Sequence, residues 1–288
     1  MTIKNTSVKD STSGVHLNSA SNIAVFGNNI TKNYNGIELV SSSDNTISEN
    51  HVASNYFQGI CVDSSFNNIF SENNITNNDV GVKLVSSSGN RFFRNNFVNN
   101  TMQACNYPSS CGNVWDDHVE GNYWSDYIGT DLNRDGVGEN EYEIDEGNTD
   151  HCSLMGKFDS FNTSLGYYIN IVSSSTIEDF EYSESNSTMR MHVSNITANQ
   201  VFGFCRMRIL HALAEPSSVT VDGAEPYYVN YTRYDDGNNR WIYFSFSHNQ
   251  SKLETVIIPE FPTLIVLPVF ITATLLAVMV CERKYLCV

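Results

Sequence analysis

Hydrophobic and polar positions recur along the first hundred residues with a period of 22 or 23. Four glycines mark this period: Gly14, Gly36, Gly59 and Gly81. After each of them, the first and third residues are apolar. Apolar pairs five residues apart recur at the same period: Ile3/Val8, Val25/Ile30, Ile47/Val52, Phe70/Ile75 and Phe92/Phe97. Period-2 apolar pairs between Asn, Gly and Ser predict short strands and turns, with no room for a helix. Stacked units ~4.8 Å apart would bury these faces, so we predict a parallel β-helix of about five coils.

Asparagine recurs at three further positions of the repeat. The columns are Asn28, Asn50, Asn73 and Asn95; Asn33, Asn55, Asn78 and Asn100; and Asn45, Asn68 and Asn90. Asparagine tolerates the left-handed conformation that a sharp corner needs, and stacked amides bond along a column. We therefore interpret these residues as structural ladders at the corners rather than as sugar ligands.

Two outward-facing columns follow from the same register. The first is His16, Glu38, Cys61 and Lys83, and the second is Glu49, Glu72 and Arg94, in which Arg94 is expected to pair with Glu72. Acid–base catalysis on such a face needs clustered carboxylates. Neither column supplies two or three Asp, and Trp115 to His118 (WDDH) is the one dense polar cluster near the coils. We assign no catalytic residue.

The coil segments NTISEN, NNITNN and GIELVSSS resemble those of the NosD-like and broader carbohydrate-binding and sugar-hydrolase β-helix families, over roughly residues 1–157. The resemblance implies a right-handed helix. It leaves two alternatives to simple binding: a polysaccharide lyase or glycoside hydrolase, and a NosD-like copper accessory protein. For copper, the soft candidate ligands are His151, Cys152 and Met155. The segment GNYWSDYIGTD resembles one that closes such coils, which implies that Trp115, Trp124 and Tyr127 cap the open core.

Residues 112–159 form an acidic module after coils that extend over 1–111. Between Asp116 and Asp159 lie thirteen acids and two bases. Asp131, Asn133, Asp135 and Glu139 stand at positions 1, 3, 5 and 9 of a calcium loop with Gly136 at position 6. Position 12 is Tyr142, where a bidentate Glu belongs. Calcium and a solvated acidic loop therefore both stay open, and no organic cofactor is expected.

The period is lost over residues 160–256, where alternating segments such as YYINIVSS, FGFCRMRIL and RWIYFSFS predict six or seven strands. The turn DDGNN (Asp235 to Asn239) separates two of them as in a hairpin. A β-sandwich-like domain with no recognisable catalytic constellation is the interpretation.

The end of the chain predicts a membrane anchor. After a linker at 257–263, the eighteen uncharged residues 264–281 would span ~27 Å of a ~30 Å hydrocarbon core as a helix. Basic residues in the tail 282–288 predict a cytoplasmic C-terminus and an extracellular bulk. IPEFPT resembles the PEF-type sorting signal of archaeal surface proteins, which implies processing of the anchor. Residues 1–20 lack an apolar export segment, so we expect missing N-terminal sequence.

Composition supports export. The net charge of −16 disfavours nucleic-acid partners. Nine Asn-x-Ser/Thr sequons predict glycosylation, at Asn5, Asn29, Asn74, Asn99, Asn162, Asn186, Asn195, Asn230 and Asn249. Cys105 and Cys111 could form a disulfide, although Cys105 could also be a buried thiol at a position that elsewhere holds Ile or Val. The sequence thus indicates a surface protein that binds carbohydrate or other surface proteins without catalysis.

Overall fold

A computed structural model describes residues 1–106, 110 and 112–259, and all of the regular secondary structure in this part of the chain is β. Five coils of three strands come first. Their strands are β1 (Thr2–Lys4), β2 (Ser7–Lys9), β3 (Ser13–Asn18), β4 (Ala24–Phe26), β5 (Asn29–Thr31), β6 (Asn35–Val40), β7 (Thr46–Ser48), β8 (His51–Ala53), β9 (Gln58–Asp63), β10 (Ile69–Ser71), β11 (Asn74–Thr76), β12 (Val80–Val85), β13 (Arg91–Phe93), β14 (Asn96–Val98) and β15 (Met102–Asn106).

These strands form three parallel sheets that run the length of the coils. The sheet orders are β1-β4-β7-β10-β13, β2-β5-β8-β11-β14 and β3-β6-β9-β12-β15. The register between neighbouring strands aligns the predicted apolar residues: Ile3 pairs with Val25, and Ile75 pairs with Phe97. From the second coil onward, the apolar side chains of both registers are buried in one continuous core; Ile3 and Val8 in the first coil are half-buried. The predicted right-handed parallel β-helix of about five coils is confirmed.

The asparagine columns form the predicted ladders. Asn73 is fully buried, its amide donates to Asn95 Oδ1 at 2.9 Å, and its own Oδ1 accepts from the Asn50 amide at 2.9 Å. The expected left-handed conformation was placed on the wrong residue. Positive φ angles occur one residue earlier, for example at Glu72 (φ 58°) and Asn77 (φ 55°). The ladder asparagine is thereby free to turn its side chain inward under the corner.

The repeated glycines are explained by close approach between coils. A Cβ on Gly36 would lie 2.3 Å from the carbonyl oxygen of Gly59 and 2.6 Å from a methyl group of Val52. Because real Cβ atoms do not approach so closely, no larger residue fits there without a shift of the backbone.

A partial sixth coil caps the core, as predicted. It contributes β16 (Tyr123–Trp124), which pairs with β14. The ring of Trp115 stacks on Phe92 and that of Trp124 on Phe97, each at 4.3 Å between centroids. Tyr127 packs against the same core. The hairpin β17 (Tyr142–Asp145) and β18 (Asn148–Asp150) closes the end: Asn148 and Asp150 accept hydrogen bonds from the two indole N–H groups.

The remaining strands form two antiparallel sheets that share a core. They are β19 (Lys157–Asn162), β20 (Tyr168–Ser173), β21 (Thr176–Ser183), β22 (Thr188–Ser194), β23 (Phe202–Leu210), β24 (Pro216–Val221), β25 (Tyr228–Asp235), β26 (Asn239–Ser247) and β27 (Lys252–Pro259). The sheet orders are β19-β20-β23-β26-β25 and β21-β22-β27-β24. Nine strands replace the six or seven expected, and residues 257–259, expected in the linker, belong to β27.

No helix among the described residues is long and apolar enough to cross a bilayer. The predicted anchor at 264–281, most of the linker, and the tail lie outside the described residues.

Candidate functional site

The predicted outward column runs up the third sheet. His16, Glu38, Cys61 and Lys83 occupy equivalent positions on β3, β6, β9 and β12. The Glu38 carboxylate accepts from Ser13 Oγ at 2.6 Å and lies 3.0 Å from His16 Nδ1. Cys105 pairs with Lys83 and continues this outward column, so the interpretation of Cys105 as a core thiol is wrong; Ala104 takes the inward place.

An aromatic ridge, formed by Tyr34, Tyr56 and Phe57, lies at the corner that precedes this sheet. Tyr34 is 54% exposed and Tyr56 is 74% exposed. The rings of Tyr34 and Phe57 lie 5.7 Å apart, and the Lys83 ammonium group lies 5.6 Å from the centre of the Phe57 ring. Exposed aromatic rings beside an outward column that contains Lys83 and the Glu38 carboxylate offer both an apolar stacking surface and hydrogen-bonding groups.

Sequence reasoning missed the ridge because it used only the repeated positions. The signal was an irregularity in the period: Gly59 is four positions after Asn55, whereas Gly36 is three positions after Asn33. The additional residue lets two aromatic side chains, Tyr56 and Phe57, occupy one corner of the third coil.

The second predicted outward column does not pair as expected. Arg94 donates from Nε to Glu120 and from Nη2 to Asp117 at 2.8 Å, rather than pairing with Glu72. Glu120 is 1% exposed and also accepts from Arg206 on β23. Burial alone would raise the pKa of Glu120, but the charges of Arg206 and Arg94 outweigh it and hold the pKa below its ordinary value. This ion network joins the capping module to the sandwich.

The WDDH cluster is likewise occupied by structural contacts. Asp116 Oδ1 accepts from the His118 N–H at 2.9 Å, and Asp117 Oδ1 accepts from the Glu120 N–H at 2.8 Å. These bonds shape the loop that carries Glu120 under Arg94.

The carboxyl group of Asp159, on β19, has a raised pKa. Burial raises the pKa of this carboxyl group to about 6, and the nearby Lys157 opposes the shift only weakly. A raised folded pKa means that stability is greatest below the ordinary value of 3.8 and falls as pH rises toward 6. We expect Asp159→Asn to raise the free energy of unfolding by about 1–2 kcal/mol at pH 8 and to change it little at pH 3.5, as measured by urea denaturation. An equal gain at both pH values would contradict this account.

In the predicted calcium loop, two carboxylates accept hydrogen bonds from the backbone of the loop itself. Asp131 accepts from the N–H groups of Asp135 and Gly136, and Glu139 accepts from those of Leu132 and Asn133, all at 2.9–3.0 Å. In the described part of the chain, no group of three or more His, Cys, Asp or Glu is arranged to hold a metal ion. Calcium stays a prediction without geometric support.

The sequon asparagines are accessible. None of the nine is buried, and those on the coils, such as Asn29 and Asn74, lie directly beside buried ladder residues without belonging to a ladder. Glycosylation stays a prediction. The disulfide prediction also remains, since Cys111 is outside the described residues.

Residues 1–129 match the model of the family described as periplasmic copper-binding protein (NosD). The coiled part of this chain is a parallel β-helix that is similar in sequence to this family. Among curated proteins, none matches the sequence significantly. A similar solved structure is the crystal structure of the Dettilon tailspike protein, with 13% identity, a TM-score of 0.32, and coverage of 90% of this chain and 56% of that one. The chain thus spans little more than half of that protein's length.

The soft donors of the acidic module do not fit a copper site. His151 Nδ1 lies 2.8 Å from the carboxylate of Glu141. Burial, aided by the charges of Asp116 and Asp150, raises the pKa of Cys152 to about 12, so the free side chain is a protonated thiol at neutral pH. The described residues bring no third His or carboxylate into a metal-holding arrangement with them. The NosD-like β-helix of this chain is therefore not assigned the copper chemistry named in the family description.

Proposed function

We propose that this protein is a membrane-anchored surface protein whose β-helix binds glycans, without catalysis, at the aromatic ridge. The observation that carries the proposal is the pair of exposed tyrosine rings, Tyr34 and Tyr56, on an otherwise polar corner of the coils. A sugar ring presents an apolar face of C–H groups that packs on an aromatic ring, and its hydroxyl groups need hydrogen-bonding partners at the edge.

The neighbouring column supplies such partners. Lys83 stands beside Phe57, and Glu38 occupies the same column two coils earlier, where it is itself held by Ser13 and His16. The β-helix fixes the spacing of these groups, because each coil is hydrogen-bonded to the next through three sheets. A rigid, preorganised face loses little freedom on binding.

The predicted anchor at 264–281 completes the proposal by placing this face outside the cell. An anchored chain would carry the ridge above the membrane with the sandwich closer to the bilayer. The sequence pattern alone supports the anchor and its orientation.

The ridge is tested by two substitutions. Full chain purified in detergent is screened on an array of neutral and acidic oligosaccharides, and the best glycan is then titrated. We expect Tyr34→Ala with Tyr56→Ala to weaken binding about tenfold or more, ~1.4 kcal/mol, through loss of ring stacking.

The matched control is Phe66→Ala, because Phe66 is a 41% exposed aromatic residue on a different corner of the same β-helix. It should leave the affinity unchanged. Absence of any retained glycan at millimolar concentration, or equal loss in the control, would count against binding at the ridge.

A further inference from the structure

A cleft lies between the capping module and the sandwich, away from the ridge. It has a volume of about 320 Å³. Its lining includes His118 and Asp135 from the module, and Arg206, Arg233, Tyr234 and Trp241 from β23, β25 and β26. This volume is at the lower end of the range for small-molecule sites, which suits a compact ligand.

The cleft has an aromatic wall. Tyr234 is 57% exposed, and its ring meets that of Trp241 edge to face at 5.0 Å. Trp241 is 7% exposed, and Arg208 lies over its ring at 5.2 Å. The tyrosine ring is therefore held against a rigid support while most of its surface stays accessible to a ligand.

Arginines gather around this wall in a chain of net charge −16. Arg233 donates to the Arg134 carbonyl oxygen at 3.2 Å, and its nearest carboxylate, Asp135, is 3.6 Å away. Arg134 and Arg208 contact aromatic rings and make no ion pair with the described residues. Of the two arginines that line the cleft, Arg206 is paired with the buried Glu120, whereas Arg233 is 30% exposed and only loosely paired with Asp135. Arg233 therefore has donor groups left for an additional anionic acceptor.

Arg206 adds an independent observation. It is 4% exposed, it donates from Nη1 to the Asp135 carbonyl oxygen at 3.0 Å and from Nη2 to Glu120, yet its Nε has no acceptor among the described residues. A buried donor without a partner is costly and rare in folded proteins. Because Arg206 lines the cleft, its Nε is a candidate donor to a ligand that binds there.

We propose that this cleft binds a short saccharide that carries a carboxylate, with its ring on Tyr234 and its carboxylate at Arg233 on the side of Arg206. Arginine matches a carboxylate through two parallel hydrogen bonds, which a neutral sugar hydroxyl does not reproduce. His118 and Asp135 face the remaining hydroxyl groups. The site is separate from the ridge and does not depend on the proposed function.

Calorimetric titration of the full chain with glucuronate, glucose and acetate tests the site. We expect glucuronate to bind at least tenfold more tightly than glucose, which lacks the charge, and than acetate, which lacks the ring. The affinity should fall as NaCl is raised, because the ion pair is partly exposed. Arg233→Gln should weaken glucuronate about tenfold and leave glucose unchanged, whereas Tyr234→Ala should weaken both sugars.

Two controls make the outcome specific. Arg190→Gln removes an exposed arginine on β22 that is paired with Glu254, and should have no effect. Tyr56→Ala removes a ridge residue that lies outside the cleft, so it should leave the affinity for glucuronate unchanged. This expectation holds whether or not the ridge binds glycans. Equal affinity for glucuronate and glucose, or unchanged glucuronate affinity in Arg233→Gln, would overturn the proposal.

Discussion

Replacing Glu120 with glutamine is expected to lower the free energy of unfolding by about 3–5 kcal/mol, because it removes the buried anion that two arginines share. Glu120 is 1% exposed and accepts hydrogen bonds from both Arg94 and Arg206. Glutamine keeps the shape but leaves the Arg206 guanidinium, 4% exposed, without its carboxylate partner. Urea denaturation at pH 7 measures the loss.

The matched control is Glu254→Gln, since Glu254 pairs with Arg190 at 3.2 Å on the surface, where both side chains are about half exposed. Such a pair contributes about 0–1 kcal/mol, so the control should change little. The pKa of Glu120 is depressed, so the stability it contributes is complete above its ordinary value of 4.5 and is lost as pH falls through the lower folded value. The difference between wild type and Glu120→Gln should therefore shrink in acid; a difference that is small at pH 7 would contradict the role of the network.

Replacing Asn73 with alanine is expected to cost about 3 kcal/mol or more, since several buried polar groups lose their partners at once. The Asn73 amide donates to the Ile47 carbonyl at 2.8 Å and to Asn95 Oδ1, and its Oδ1 accepts from the Asn50 N–H and amide. Alanine leaves these donors and acceptors buried with no water to replace the bond. Thermal and urea unfolding of the full chain measure the effect.

Asn18→Ala is the control for the ladder. Asn18 ends β3 on the exposed surface, where it accepts one bond from Ser19. This substitution should shift stability by less than about 0.5 kcal/mol. If Asn73→Ala were no worse than Asn18→Ala, the columns would be incidental to stability.

The β-helix was predictable because its information is local and repeated. Each coil needs inward residues at the same place as the coil below, so Ile47, Phe70 and Phe92 must recur at one period. The same logic identified the asparagine ladders, whereas the cap of Trp115 and Trp124 was expected from the resemblance of the following segment to those that close such coils. What the repeat did not reveal is backbone conformation at the corners, since side-chain identity at Glu72 or Asn77 gives no sign of a positive φ.

Electrostatic partners were much less predictable. The period placed Arg94 one coil above Glu72, but its observed partners, Asp117 and Glu120, come from the loop that follows the coils. Three sandwich strands were also missed, among them β21, in which charged residues interrupt the alternation. Pairing with β22 across the sheet and partial burial of Ile177, Phe180 and Tyr182 against the core, rather than the pattern, make that segment a strand.

By itself, the sequence determined the period, the inward residues and the ladders, because a stacked coil repeats one set of contacts at a fixed spacing in the chain. The tertiary structure decided the aromatic ridge, the Glu120 network and the arginine-lined cleft. The ridge arises where the period itself is irregular, between Asn55 and Gly59. The network and the cleft instead bring together residues from segments with no common period, such as Glu120 and Arg206, which are 86 positions apart. Contacts of this kind depend on how the capping module packs against the sandwich, which no spacing in the chain encodes.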